Sequence, residues 1–126
     1  MSVTNLISNW LKKVEAENPP PTTITALYFG IFKSDKGYMV YVTGAEVYDA
    51  NDDEWAGEID YQPARVNKYL LLPGEFTKGL KWAGVLALVA ITLKEIVLAP
   101  GAGTLFSNRV AAAGFDDGDL VWVKSE

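Results

Sequence analysis

Residues 23–43 read TITALYFGIFKSDKGYMVYVT. Ile24, Leu27, Tyr28, Phe29, Ile31 and Phe32 lie in the first run, a composition that favours a strand over Thr23–Lys33. Ser34-Asp35-Lys36-Gly37 supplies turn chemistry, with Gly37 able to take positive φ. Tyr38 to Thr43 then alternates, Tyr38, Val40 and Val42 against Met39, Tyr41 and Thr43, as a half-buried strand does. The stretch predicts a hairpin. Gly44 is expected to mark a bulge before Ala45 to Tyr48 continue the strand.

On the N-terminal side, Pro19-Pro20-Pro21 forbids helix and forces a stiff, extended connector. Before it, Ile7, Trp10, Leu11 and Val14 recur at three and four residues, opposite Lys12, Lys13 and Glu15. That spacing predicts an amphipathic helix over residues 4–16, capped by Ser2 or Thr4. On the other side, Asn67 to Leu72 predicts a third strand, closed by Pro73-Gly74. A long apolar helix is expected from Thr77 or a neighbour to just before Pro100-Gly101. Apolar nearly all round, it needs cover from the sheet and from either the first helix or a second subunit. Its β-branched Val85, Val89, Ile91 and Val97 leave a pair of strands as the alternative. The uncharged stretch from Trp82 to Leu93 is twelve residues, short of the roughly 20 that a membrane span needs. Val110–Phe115 and Leu120–Lys124 flank Asp116-Asp117-Gly118-Asp119 and predict a second hairpin. The expected fold is therefore α+β: an antiparallel sheet of hairpins packed against an N-terminal amphipathic helix and one long apolar helix. A chain of 126 residues accommodates this as a single domain over residues 1–126, with its α+β body at 23–124.

The chain has no cysteine and no histidine. Disulfides, thiolate chemistry and Cys-ligated zinc are excluded, as is every Ser-His or Cys-His nucleophile pair. The lack of cysteine fits a reducing compartment, and Met1-Ser2-Val3-Thr4 has no basic segment followed by a long apolar run. A cytoplasmic location is expected. The formal charge is −5, with scattered basic residues, which argues against a nucleic-acid-binding face.

That charge is local. Asp49, Asp52, Asp53, Glu54, Glu58 and Asp60 fall within twelve residues without a Lys or Arg among them. Without these six the balance is ten acidic against eleven basic residues. Trp55 sits in the middle, and Tyr48 and Tyr61 bracket the segment.

Several chemistries compete for it. Asp49, Asn51 and Asp53 stand at the first, third and fifth places of a twelve-residue loop ending at Asp60, which suggests calcium. Glu54, however, occupies the place where an EF-hand requires glycine, and the last ligand is Asp rather than bidentate Glu. Paired-carboxylate hydrolysis needs two acids at a set separation, and nothing selects a pair here. Gly101-Ala102-Gly103-Thr104 lacks the Gly-Lys-Ser/Thr of a phosphate loop and reads as a connector. No catalytic residue, metal or cofactor is assigned. Protein binding uses the whole combination: carboxylates steer encounter with a basic surface, and an aromatic residue provides a desolvated anchor. The competing structural reading is a solvated loop whose Trp and tyrosines fold back onto the body.

Tyr41-Val42-Thr43-Gly44, Tyr48-Asp49, Asp52-Asp53-Glu54-Trp55 and Tyr61-Gln62-Pro63, with Ala113-Gly114-Phe115-Asp116-Asp117-Gly118-Asp119-Leu120, resemble a pattern of small bacterial immunity proteins. The likeness spans residues 23–124. It implies a cytoplasmic, non-catalytic inhibitor that binds one toxin domain, many such toxins being nucleases with basic clefts. The expected partner is a basic protein, with no nucleic acid and no membrane. Tyr48, Asp49, Asp52, Asp53, Glu54, Trp55, Glu58, Asp60 and Tyr61 form the expected contact surface. The N-terminal helix lies outside the pattern and is available for a homodimer. The alternative is an assembly protein that oligomerises through its apolar helix.

Overall fold

Ser2 starts the first helix, α1 (Val3–Glu17): its Oγ accepts a hydrogen bond from the Asn5 N–H at 3.1 Å. The computed structural model describes residues 2–99, 103–115 and 119–125. Ile7, Trp10, Leu11 and Val14 form the buried stripe of α1, and the helix ends at Asn18, before the three prolines.

The hairpin follows. Strands β1 (Ala26–Ser34) and β2 (Gly37–Ala45) pair antiparallel from Ala26↔Ala45 to Ser34↔Gly37, leaving Asp35-Lys36 as a two-residue turn. Gly37 has φ 131°, a value that L side chains rarely adopt. The register runs unbroken through Leu27↔Gly44, so the expected bulge is absent and the strand stops at Ala45 instead of reaching Tyr48. Glycine is needed at 44 for a different reason. A Cβ there would lie 2.7 Å from Ile24 Cγ2 and 3.1 Å from Tyr61 Cδ2.

A 3-10 turn (Asp53–Gly57) precedes two short helices, α2 (Arg65–Lys68) and α3 (Gly74–Thr77), with strand β3 (Tyr69–Leu71) between them. β3 is shorter than expected because Asn67 is drawn inward. Its Nδ2 donates to Asn18 Oδ1 at 2.7 Å, and its carbonyl accepts from Trp10 Nε1 at 2.6 Å. The long apolar segment is helix α4 (Trp82–Leu98), which removes the strand-pair alternative. It starts later than Thr77, after Gly79 at φ 79° breaks the chain from α3. Among the described residues no helix is long and apolar enough to cross a membrane. Strands β4 (Val110–Phe115) and β5 (Val121–Lys124) form the second hairpin. Its predicted turn at Asp116–Gly118 lies outside the described residues, as do Pro100, Gly101 and Ala102.

The five strands are ordered β3-β2-β1-β4-β5. Each hairpin is antiparallel, but β1 and β4 run parallel from Ala26↔Val110 to Ile31↔Phe115. The sheet is thus mixed, with a parallel seam between its hairpins. That seam is possible because the chain crosses over as α4 before re-entering the sheet.

Alternation along the strands gives the sheet two apolar faces. Leu27, Phe29, Ile31, Val40, Val42 and Val123 pack with the buried side chains of α1 and α4. Ala26, Tyr28, Ala45, Val110, Ala112 and Trp122 form a second cluster with Trp55, from the acidic loop. The acidic loop is therefore the cover of the sheet's second face.

Candidate functional site

The acidic segment is closed at its base by backbone. Gly44 N–H donates to the Tyr61 carbonyl at 2.9 Å, and Tyr61 N–H returns to the Gly44 carbonyl at 3.1 Å. Inside this pinch, Asp60 Oδ2 accepts from Glu46 N–H at 2.9 Å, a second tie between the two limbs. Asp49 Oδ1 accepts from Asn51 N–H at 2.9 Å, an Asx turn. Asp52 Oδ1 accepts from Glu54 N–H at 3.0 Å and caps the 3-10 turn.

Three of the six acids thus satisfy backbone donors that the irregular chain would otherwise leave unpaired. The carboxylates of Asp53, Glu54 and Glu58 have no hydrogen bond or ion pair among the described residues, and all six acids are exposed. Asp49 and Asp52 each reach a turn N–H two residues on, whereas Asp60 reaches Glu46 across the base of the loop. No group of three or more potential metal ligands gathers among the described residues.

The aromatic residues divide the other way. Trp55 is only 4% exposed and acts as an internal anchor. Its indole stacks on Trp122, with centroids 6.2 Å apart and 23° between planes, and meets the Tyr48 edge at 5.5 Å and 73°. Tyr48 in turn meets Trp122 edge-on at 6.0 Å. Tyr61 is buried, and its Oη donates to the Asn18 carbonyl at 2.6 Å, joining the loop base to the end of α1. Burial pushes the Tyr61 hydroxyl up to about 12, with Arg109 pulling weakly the other way. Of the nine expected contact residues, the six acids remain on the surface, Trp55 and Tyr61 are interior, and Tyr48 is half-buried. The loop presents carboxylates to solvent, and the Trp55 ring supports them from beneath.

Two residues essential to the site carried no local signal in the sequence. Trp122 is the surface on which Trp55 rests, yet it belongs to the other end of the chain. Arg109 fastens the proline connector: its Nε donates to the Ile24 carbonyl at 2.8 Å, Nη1 to Leu105 at 2.9 Å and Nη2 to Pro21 at 2.9 Å. Burial lowers the Arg109 pKa from its ordinary value, and Tyr61 opposes that shift.

Beyond the loop the described residues cover the same sheet face only in part. Tyr41 lies flat across Gly30, where an added Cβ would fall 2.0 Å from the ring carbon Cζ. Phe32 and Tyr69 flank it, with centroids 6.1 and 6.2 Å from the Tyr41 ring. Lys68 Nζ stands 5.8 Å from the Tyr41 centroid and 5.2 Å from that of Tyr69. One face thus carries carboxylates over its covered part and an aromatic, cationic surface over its open part. No protein-family model, curated protein or solved structure matches this chain.

Proposed function

We propose that the chain is a non-catalytic binding protein that neutralises a bacterial toxin domain through the acidic loop. One observation carries the reading: Asp53, Glu54 and Glu58 project from a loop pinned at its base and anchored by Trp55, without internal counter-ions among the described residues. Carboxylates held on an ordered support cost little further ordering when a basic surface arrives. Their field also accelerates encounter with such a surface. The absence of His and Cys from the chain agrees with inhibition by contact.

The class is tested by coexpression with the secreted product of an adjacent gene. Rescue of cells from its toxic C-terminal domain is the expected result, and unchanged toxicity rejects the reading. The surface is tested by replacing Asp52, Asp53 and Glu54 with Ser. Serine also caps helical turns, so the substitution keeps the Asp52 cap while removing charge. The association rate with the rescued toxin domain should fall, and the dissociation rate should change little. Equal association rates for variant and wild type would place the contact elsewhere.

A second reading is assembly through α4. Ile91 and Leu98 are 55% and 84% exposed, and their seven-residue spacing puts them on one side of the helix. Sedimentation across a concentration series tests it: a dimer that persists on dilution and dissociates in Ile91→Glu supports it, and a monomer throughout rejects it.

A further inference from the structure

The open part of the second sheet face ends in a groove of about 600 Å³, between the tip of the first hairpin and the segment that leads into α2. Its apolar lining comes from Phe32, Met39, Pro63 and Tyr69. Phe32 and Tyr69 meet at right angles, with centroids 6.1 Å apart, an edge-to-face contact that joins them into one aromatic wall. Three cations line the same groove, Lys36, Arg65 and Lys68, against a single carboxylate, Asp35. Among the described residues none of the three cations forms an ion pair. Lys68 is already positioned: its Nζ donates to Gln62 Oε1 at 2.7 Å and stands over the Tyr41 and Tyr69 rings.

We propose that this groove is a binding site for a small planar aromatic anion. The volume falls within the roughly 300–1,000 Å³ of small-molecule sites. A flat ring can lie against the groove side of Phe32 and Tyr69, where offset or edge-to-face contact with aromatic side chains is favourable. The anionic group is drawn to Lys68 and Arg65, and the guanidinium of Arg65 can hold a carboxylate with two parallel hydrogen bonds. Charge decides the class of occupant. In a chain of net charge −5, three cations around one concavity, without an ion pair among the described residues, oppose the sign of the whole molecule. A neutral aromatic compound gains only the floor, and a ringless anion gains only the rim. The acidic loop and this groove use different residues, so the site is independent of the toxin-binding reading.

The test uses the full chain, labelled for amide spectra, and three probes: 1-naphthoate, its uncharged counterpart 1-naphthalenemethanol, and inorganic phosphate. Naphthoate should give saturable shifts confined to the amides of Phe32, Lys36, Met39, Lys68 and Tyr69. The alcohol should bind at least tenfold more weakly, and phosphate should give no saturable shift at these amides. Arg65→Gln combined with Lys68→Gln should weaken naphthoate at least tenfold, whereas Lys12→Gln with Lys13→Gln on α1 should leave it unchanged. Naphthoate shifts that fail to saturate, or that centre elsewhere, overturn the site. Equal affinity for the alcohol overturns the role of the cations, and equal affinity for phosphate overturns that of the rings. The probe comparison on the wild-type chain decides the matter even where a variant does not fold.

Discussion

The indoles of Trp55 and Trp122 stack 6.2 Å apart at 23°, so the acidic loop and the last strand share one aromatic joint. Trp55→Ala removes a buried ring from that joint and should cost about 3–5 kcal/mol. Trp55→Phe should cost much less. It keeps an aromatic face and removes a buried indole N–H that has no hydrogen-bond partner among the described residues. Urea unfolding of both variants checks this. Equal losses would mean that the joint depends on the indole shape itself.

The six carboxylates should separate into two sets by stability. Asp60→Ala frees the Glu46 N–H, and Asp52→Ala uncaps the 3-10 turn, each at about 0.5–2 kcal/mol. Asp53→Ala and Glu58→Ala, whose exposed carboxylates have no partner among the described residues, should stay within about 0.5 kcal/mol of wild type. Thermal unfolding at matched ionic strength measures all four.

Gly30 and Tyr41 should behave as a coupled pair. Gly30→Ala places a Cβ where the Tyr41 ring lies and should cost about 1–3 kcal/mol as the ring is displaced. In a Tyr41→Ala background the same change should cost much less, since the ring atoms nearest the new Cβ are then gone. A double-mutant cycle reads the coupling directly. Additive losses would mean that the backbone, rather than the ring, resists the methyl group.

Arg109→Lys should destabilise the chain by roughly 1.5–3 kcal/mol although the charge is kept. A single ammonium cannot reproduce a planar fork that reaches the carbonyls of Ile24, Leu105 and Pro21 together. Circular-dichroism melting against Arg109→Ala measures how much of the loss is geometry.

Tyr61 gives the molecule a defined alkaline limit. In the unfolded chain the hydroxyl titrates near 10.0, whereas in the folded protein burial holds its proton up to about 12. Between these values the native state carries the extra proton. Stability from this group is therefore complete below pH 10 and lost as pH rises through 12. Tyr61→Phe should be less stable than wild type by about 1 kcal/mol at pH 8, through loss of the bond to the Asn18 carbonyl. The gap should close above pH 10, because only wild type is losing stability to this titration. A gap independent of pH from 8 to 12 would remove Tyr61 from the alkaline transition.

Legibility in the sequence followed the range of each interaction. The hairpin of residues 26–45 was readable because alternation and the Gly37 turn are local and agree with each other. The stripe of α1 was readable for the same reason. The parallel pairing of Ala26 with Val110 depends on where α4 leaves the chain, which no window of sequence contains. In the acidic segment, charge was legible and direction was not. Six carboxylates declare themselves by composition, but whether Trp55 turns out or in depends on a flat surface being present beneath it, and Trp122 provides that surface from the far end of the chain. Gly44 shows the limit most simply: a glycine in a strand suggests a bulge, and here it makes room for Tyr61 and Ile24.

The reciprocal hydrogen bonds between Gly44 and Tyr61 place the two ends of the acidic loop side by side at a fixed spacing. Any sequence that spans that gap and returns an aromatic ring to Trp122 meets the same boundary conditions. The exposed side chains that hold no backbone donor, Asp53, Glu54 and Glu58, can therefore be exchanged while the loop's closure and the five-stranded frame stay as they are.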